Sequence, residues 1–194
     1  MIEEIERHID HHLSTIEALR PLRPIIEQIG ALMCERLVTG GCIFWMGNGG
    51  SAADCQHLAA ELVGRFERER RGIASLALTA DTSVLTSVAN DYGFETIFSR
   101  QVEALCGPQD LLIAISTSGN SPNVLNGVAT ARTRGVSSVA LSGRDGGWLS
   151  ELVDIALIAP SDNTARIQEA HILIGHILCD LVDRRIGQAP PEPR

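Results

Sequence analysis

Two loops rich in Gly, Ser and Asn carry the strongest chemical signal in this sequence of 194 residues. Each follows a short apolar run and opens a helical pattern, and they read Gly47-Asn48-Gly49-Gly50-Ser51 and Ser116-Thr117-Ser118-Gly119-Asn120-Ser121. Backbone N–H groups and hydroxyls at the start of a helix favour an anion, because the positive end of the helix dipole lies there. No Lys follows the glycines as in the Walker pattern, and GxGxxG is absent, so a phosphate is expected rather than a dinucleotide.

The second loop is the more specific of the two, because it places four hydroxyl side chains within six residues. Ser121 suits a helix N-cap, and Pro122 suits the first helical position. An ordinary capped turn is the alternative interpretation. The density of hydroxyls favours a phosphate site made by Ser116, Thr117, Ser118 and Ser121.

A second set of polar residues lies on two predicted helices. His57 and Glu61 are four residues apart and therefore share a helix face, a spacing that suits two metal ligands or a base and its partner. A solvated surface pair is the alternative. The last predicted helix carries Gln168 and His176, and the apolar neighbours of His176 leave a core histidine as the other interpretation.

Short continuous apolar runs alternate with helical patterns along most of the chain, as is typical of parallel strands covered on both faces. The predicted strands are 43–46, 73–79, 111–116, 137–142 and 155–159, and the predicted helices between and after them are 52–66, 82–90, 95–105, 122–134 and 164–186. Ahead of them, residues 3–39 predict two helices broken near Pro21 and Pro24.

This alternation predicts an α/β fold: a doubly wound parallel sheet of about five strands with an N-terminal helical pair. We expect one domain over 1–194, divided into N-terminal helices 3–39, a sheet core 40–160 and a C-terminal helix 164–186. Residues 188–194 are expected to fray. Both Gly/Ser loops would lie at strand carboxyl ends, where open α/β sheets bind ligands.

Composition narrows the class of protein. A net charge of −8 argues against a nucleic-acid surface, and no apolar run reaches the length of a membrane span. The five cysteines are odd in number and form no CxxC pair, which indicates reduced thiols and a cytoplasmic protein. The charge and the lack of a long apolar run together predict that neither nucleic acid nor a membrane is a partner. The run 65–71 mixes both signs of charge and is interpreted mainly as a solvated face.

Taken together and in this order, these motifs resemble the sugar-isomerase (SIS) domain family, and within it the phosphoheptose isomerases. The resemblance extends over about residues 3–186. The second loop alone marks only the broad phosphosugar-binding family, and its combination with His57, Glu61, Gln168 and His176 is much more specific. The pair Asn90-Asp91 is also part of the motif order.

The resemblance implies roles that the spacing alone does not give. Glu61 would be the catalytic base and His176 the catalytic acid, and one zinc ion per subunit would be held by His57, Glu61, Gln168 and His176. The implied substrate contacts are Asn48, Gly49, Gly50, Ser51, Glu61, Asn90, Asp91, Ser116, Thr117, Ser118, Ser121 and Gln168. A homotetramer with active sites at subunit interfaces is also implied.

The implied reaction is the conversion of D-sedoheptulose 7-phosphate to D-glycero-D-manno-heptose 7-phosphate. It proceeds through an enediol-type proton transfer between C1 and C2, for which a carboxylate and an imidazole are suitable groups. This would be the first step in making a nucleotide-activated heptose for lipopolysaccharide core or another surface glycan.

Three other functions remain open. A related SIS protein that binds the bacterial replication initiator lacks the histidine on the last helix, whereas His176 is present here. Arabinose 5-phosphate isomerases usually carry an appended pair of regulatory domains, and this sequence ends soon after its last helix. SIS-type sensors in transcription regulators are fused to a DNA-binding domain. One departure from the family pattern is Trp148, which follows Gly146-Gly147 where a smaller or more polar residue is expected.

Overall fold

A single five-stranded sheet forms the centre of the computed structural model, which describes residues 1–186. All strands are parallel, in the order β2-β1-β3-β4-β5. Their bounds are β1 Ile43–Gly47, β2 Ser75–Ala77, β3 Leu111–Ser116, β4 Ser137–Gly143 and β5 Ile155–Ala159. The predicted α/β class and doubly wound parallel sheet are confirmed. The predicted tail, 188–194, lies outside the described residues.

Eight α-helices accompany the sheet within the described residues: α1 Ile2–Glu17, α2 Arg23–Val38, α3 Gly50–Val63, α4 Thr82–Tyr92, α5 Ile97–Leu105, α6 Pro122–Thr133, α7 Leu149–Leu152 and α8 Thr164–Ile186. Pro21 lies in a 3₁₀ turn between α1 and α2, and Pro24 lies in the first turn of α2, so the predicted break is confirmed. Helix α7 was not predicted, because four residues are too few for a helical period to show.

Strand β2 is shorter than the predicted 73–79. It is the edge strand beyond β1, and the N–H of Ile73 donates to the carbonyl of Leu62 on α3 instead of joining the sheet. Because an edge strand has only one neighbour, contacts to a covering helix can replace its pairing. The apolar run therefore predicted the element but not its length.

Alternate residues of β1 face opposite layers, and both layers are apolar. Ile43 and Trp45 join a core shared with α2, α3 and α8, whereas Phe44 and Met46 join a core shared with α5 and α6. The indole N–H of Trp45 donates to the hydroxyl of Ser75 at 2.8 Å, so this fully buried ring is satisfied. Burial on both faces explains why the strand is continuously apolar.

Helix α1 is attached to α8 through its polar side. His12 Nδ1 lies 2.7 Å from Glu169 Oε2, and Arg166 donates to the carbonyl of His8 at 2.6 Å. The opposite side of α1 carries an apolar stripe that no other part of the described chain covers. That stripe is between 47% and 76% exposed and consists of Ile2, Ile5, Ile9 and Leu13.

The five cysteines are free thiols, and four of them are buried. Burial raises the pKa of Cys42 to about 11 and the pKa of Cys106 and Cys179 to about 12.

Among residues 1–186, no helix combines the length and apolar character that a membrane crossing requires.

Candidate active site

The candidate site lies where the strand order reverses. From β1 the chain continues to β2 on one side, and β3 pairs on the other side, with Gly47 opposite Ile115. In such sheets a crevice opens at the carboxyl ends of the two strands flanking the reversal. The two Gly/Ser loops leave β1 and β3 at this edge, as the sequence predicts.

Asn48 in the first loop is joined to the start of α6. Asn48 and Asn123 exchange two side-chain amide hydrogen bonds, each 2.8 Å long, and Asn123 is 2% exposed. This pair ties the first loop to the helix that follows the second loop. No motif in the sequence indicated Asn123, because its partner is 75 residues away.

The following glycines make room for α8. Gly49 has a φ of +56°, a conformation that residues with a Cβ rarely adopt, and a Cβ on Gly50 would collide with the side-chain amide of Gln168. The amide of Gln168 therefore packs directly over the start of α3. This contact places one predicted ligand and substrate residue against the first loop.

Two hydroxyls of the second loop face each other. Ser116 Oγ and Ser121 Oγ are 3.2 Å apart, and the N–H of Asn120 donates to Ser118 Oγ at 3.2 Å. Ser121 occupies the N-cap position of α6 as predicted, but its hydroxyl makes no cap bond to the helix. The loop thus gathers hydroxyls and helix N–H groups at one point, an arrangement suited to an anion.

A turn between β4 and α7 supports this second loop. The N–H of Trp148 donates to Asn120 Oδ1 at 3.1 Å, and a Cβ on Gly119 would collide with the carbonyl of Gly146. A Cβ on Gly147 would lie 2.6 Å from the carbonyl oxygen of Ser118 in the second loop. Trp148 is 66% exposed, so within the described chain its backbone, not its indole ring, serves the site.

His57, Glu61 and His176 meet where α3 packs against α8. His57 Nε2 lies 2.9 Å from His176 Nε2 and 3.3 Å from Glu61 Oε1, and the ligand atoms of the three lie within 4.8 Å of one another. The two histidines are 119 residues apart and belong to α3 and α8. The structure therefore brings together three of the four predicted metal ligands, which we name the His–Glu cluster.

The core histidine on α8 is His171 rather than His176. His171 is fully buried, and its Nε2 lies 2.9 Å from the carbonyl oxygen of Ser142 on β4. Burial lowers the pKa of His171 to about 4, so the ring is neutral near neutral pH. The alternative interpretation left open for His176 thus applies to its neighbour one and a half turns earlier.

Asp54 is a residue of this region that the sequence reading missed. It lies on α3 one turn before His57, and its Oδ2 is buried with no hydrogen-bond partner among the described residues. Burial raises the pKa of Asp54, and the neighbouring His57 and His176 oppose that rise. The spacing of three and seven residues from His57 and Glu61 was the available signal.

The mixed-charge run 65–71 is mainly exposed, as expected, but two of its side chains pack inward. The side chain of Arg70 is 1% exposed and pairs with Asp183 of α8, whose side chain is fully buried. In the same segment, the ring of Phe66 stacks on His176 with centroids 5.5 Å apart. The alternating charges of this run do not predict the ion pair, because the partner of Arg70 lies far along the chain.

The remaining predicted contacts are spread more widely. Asn90 and Asp91 are exposed at the end of α4, where Asn90 donates to Asp91 Oδ1 at 2.8 Å. Within residues 1–186 neither side chain hydrogen-bonds to the loops or to the His–Glu cluster. Ser51 is buried in the first turn of α3, and Thr117 is half-buried in the second loop. Their contacts with a substrate remain predictions.

The His–Glu cluster fits the donor preferences of zinc. Two imidazole nitrogens and one carboxylate oxygen form the usual protein part of a catalytic zinc site, which keeps a further position for water or substrate. His57 is 50% exposed and Glu61 is 23% exposed, so the cluster is open to the crevice. Gln168 lies on α8 two turns before His176 and offers an amide oxygen at the same side of α3.

Comparison with known proteins now identifies the family. The SIS domain model matches residues 8–143. A phosphoheptose isomerase of Geotalea daltonii is 51% identical over 96% of this chain and 97% of its own length. Phosphoheptose isomerase 1 of Campylobacter jejuni is 51% identical over 94% of this chain and 98% of its own length. The chain belongs to the phosphoheptose isomerase branch of the SIS domain family. A solved phosphoheptose isomerase from Neisseria gonorrhoeae, 43% identical, superposes over 94% of this chain and 98% of that one with a TM-score of 0.90.

Membership in the phosphoheptose isomerases confirms the family predicted from the sequence motifs. Family membership does not by itself assign roles to the individual site residues. Those roles rest on the arrangement of the side chains described above. In that arrangement a hydroxyl-rich loop at the start of α6 and a cluster of acid–base groups on α3 and α8 are both joined to the first Gly/Ser loop, through Asn123 and Gln168.

Proposed function

We propose that the protein is an aldose–ketose isomerase that converts D-sedoheptulose 7-phosphate to D-glycero-D-manno-heptose 7-phosphate. The observation that carries the proposal is the meeting of Glu61 with His176 on the helices α3 and α8, which Gln168 joins to the first Gly/Ser loop. Family membership supports the same reaction, because relatives about half identical over nearly their full length are named phosphoheptose isomerases. In this proposal the second loop binds the substrate and the His–Glu cluster carries out the proton transfer.

Glu61 is the proposed base of the reaction. Its carboxylate takes a proton from C1 of the ketose, and the electron pair left behind forms the C1–C2 double bond of an enediol. The same group returns a proton to C2 to give the aldose. A carboxylate that is only 23% exposed is partly shielded from water, so the proton is held rather than exchanged freely.

His176 is the proposed acid. As the enediol forms, its imidazole donates a proton to the oxygen on C2, and it then accepts the proton from the oxygen on C1. His57 lies within hydrogen-bonding distance of both His176 and Glu61 and orients the pair. The isomerisation requires no redox cofactor, because hydrogen moves within one substrate molecule.

The second loop is the proposed phosphate site. Ser116, Thr117, Ser118 and Ser121 would hold the 7-phosphate at the start of α6, while Asn48, Gly49, Gly50, Ser51, Asn90, Asp91 and Gln168 would contact the sugar. One zinc ion per subunit would be held by His57, Glu61, Gln168 and His176. When bound, zinc would polarise the substrate carbonyl and stabilise developing negative charge on oxygen.

We further propose a cytoplasmic homotetramer with its active sites between subunits, acting at the first step of nucleotide-activated heptose synthesis for lipopolysaccharide core or another surface glycan. The exposed apolar stripe on α1 supports association, since an unpartnered stripe of four large side chains gains from burial. Sedimentation at micromolar concentration is expected to give a tetramer. A monomer would contradict this part of the proposal.

The deciding experiment is turnover of D-sedoheptulose 7-phosphate by the purified protein and by Glu61→Gln. The variant keeps the shape but removes the base, so kcat should fall by roughly 10²–10⁴-fold while the circular dichroism spectrum is unchanged. Near-normal turnover by Glu61→Gln would overturn the mechanism. No turnover by the unaltered protein would favour a non-catalytic SIS protein.

A further inference from the structure

The pair formed by Arg70 and Asp183 is buried and fully engaged. Arg70 donates through Nε to Asp183 Oδ1, and Asp183 Oδ2 accepts from the N–H groups of Glu67 and Arg68 at 3.2 and 3.4 Å. The two side chains are 1% and 0% exposed. A buried ion pair is tolerated only when its remaining donors and acceptors are also satisfied, as they are here.

The other guanidinium nitrogens of Arg70 hold the end of α3. Nη2 donates to the carbonyl of Glu61 at 2.9 Å, and Nη1 donates to the carbonyls of Leu62 and Gly64 at 2.9 and 3.1 Å. One side chain thus joins three segments: the last turn of α3, the residues 64–71 that follow it, and α8. We name this set of bonds the Arg70 clamp.

The segment held by the Arg70 clamp carries Phe66 onto His176. The two rings are nearly parallel, with 19° between their planes and 5.5 Å between their centroids. The His176 ring also meets His57 in an edge-on arrangement, with centroids 5.1 Å apart and the two Nε2 atoms 2.9 Å apart. His176 therefore contacts both an aromatic ring that has no acid–base role and a partner in the His–Glu cluster.

We propose that Phe66 is a positioning residue for His176, and that the Arg70 clamp holds Phe66 in that place. The inference rests on the proposed function for the role of His176 as acid. A half-buried imidazole on a helix surface can rotate about its side-chain bonds, and proton transfer tolerates little misplacement. Stacking against Phe66 keeps the ring in the orientation that faces Glu61 and the crevice.

The first test compares Phe66→Leu, Phe66→Tyr and Phe44→Leu. Phe66→Leu removes the flat face, so kcat should fall about 10-fold with KM nearly unchanged, because the loops that bind substrate are intact. Phe66→Tyr keeps the face and should restore kcat. Phe44→Leu is the matched control, since it removes similar apolar volume from the opposite layer of the sheet and should leave kcat within about twofold.

A second readout does not depend on turnover. Titration of metal-free protein with Zn²⁺ against a coloured chelator should show about 10-fold weaker binding in Phe66→Leu, and binding restored in Phe66→Tyr. The proposal is overturned if Phe66→Leu matches the control in both kcat and zinc affinity. It is also overturned if Phe66→Tyr fails to restore them.

The clamp itself is tested with Asp183→Asn and limited trypsin digestion. Loss of the charge should release the segment, so cleavage after Arg68 or Arg71 should become at least 10-fold faster than in the unaltered protein. Unchanged cleavage in folded Asp183→Asn would overturn the clamp. Should that variant fail to fold, the Phe66 variants still decide the positioning role.

The outcomes separate this inference from the proposed function. If His176→Gln loses turnover while Phe66→Leu behaves as the control, the isomerase mechanism stands and the positioning role falls. If His176→Gln keeps turnover, the acid role falls, and the zinc titration still tests whether Phe66 orients the imidazole.

Discussion

The second Gly/Ser loop and the His–Glu cluster are held in different ways. The loop is built from residues close in sequence, with Ser116 and Ser121 in contact and Asn120 bonded to Ser118. The cluster depends on two helices whose histidines are 119 residues apart. If the loop binds the phosphate and the cluster does the chemistry, as proposed, binding relies mainly on local backbone conformation, whereas the chemistry relies on how α3 and α8 pack.

This difference teaches that the two functions can be damaged separately. Under the proposed function, a change in the loop should act on substrate affinity, because the 7-phosphate would lie far from the reacting C1 and C2. A change in the cluster should act on turnover, because its groups would contact the atoms that exchange protons. Kinetic variants of the loop and of the cluster test this separation.

The largest effect is expected for His176→Gln. The amide keeps much of the imidazole's volume but cannot donate and accept the proton, so kcat should fall by roughly 10²–10⁴-fold. KM should change little, since the loops remain intact. Steady-state kinetics with D-sedoheptulose 7-phosphate checks this, and a main effect on KM would contradict the separation.

The next effect is expected for the double variant Ser118→Ala with Ser121→Ala. Losing two hydrogen bonds to a charged phosphate should raise KM by roughly 10–100-fold, with kcat nearly retained. The matched control is Ser14→Ala with Ser87→Ala, because those hydroxyls bond to carbonyls of their own helices. An unchanged KM in the loop variant would remove the phosphate assignment.

Mild acid should weaken the attachment of α8 to the sheet. His171 is neutral when folded, with its pKa lowered to about 4 from 6.5, so the unfolded chain binds the extra proton first as pH falls. Stability from this residue is complete above pH 6.5 and declines toward pH 4, by about 2 kcal/mol at pH 5. Urea unfolding of the protein and of His171→Gln measures it; equal pH slopes in both would contradict the prediction.

The smallest kinetic effect is expected for Gly147→Ala. The added Cβ would press on the second loop, so KM should rise about 3–10-fold without a matching loss of kcat. Gly135→Ala is the control, because Gly135 has a similar positive φ of +71° but open space around it and lies beyond α6, away from the loop. The same KM in both variants would show that backbone strain alone, not contact with the loop, is responsible.

The second loop was easier to predict from the sequence than the His–Glu cluster. The second loop could be predicted because its hydroxyls, N-cap and proline lie within seven residues. The partner of His57 could not be found from spacing, since α3 and α8 meet only after the sheet has formed. His176 therefore stayed ambiguous until the family resemblance was considered, and its alternative interpretation proved to describe His171.

The residues that were missed share one physical property: their partners are distant in the chain. Asn123 bonds to Asn48, the turn at Gly146 supports Gly119, and Arg70 pairs with Asp183. Helical and strand periods report which face a residue occupies, but not which residue lies across from it. The fold class was accessible because apolar runs and helical patterns are local.

Sulfur is kept out of this chemistry even though it lies close by. Cys179 follows His176 by one turn of α8, yet burial, with help from the carboxylates of Glu61 and Asp183, raises the pKa of its thiol to about 12. Peroxide and alkylating reagents attack the thiolate, which is almost absent from such a group at neutral pH. Turnover should therefore survive oxidants and alkylating reagents at concentrations that inactivate thiol-dependent enzymes.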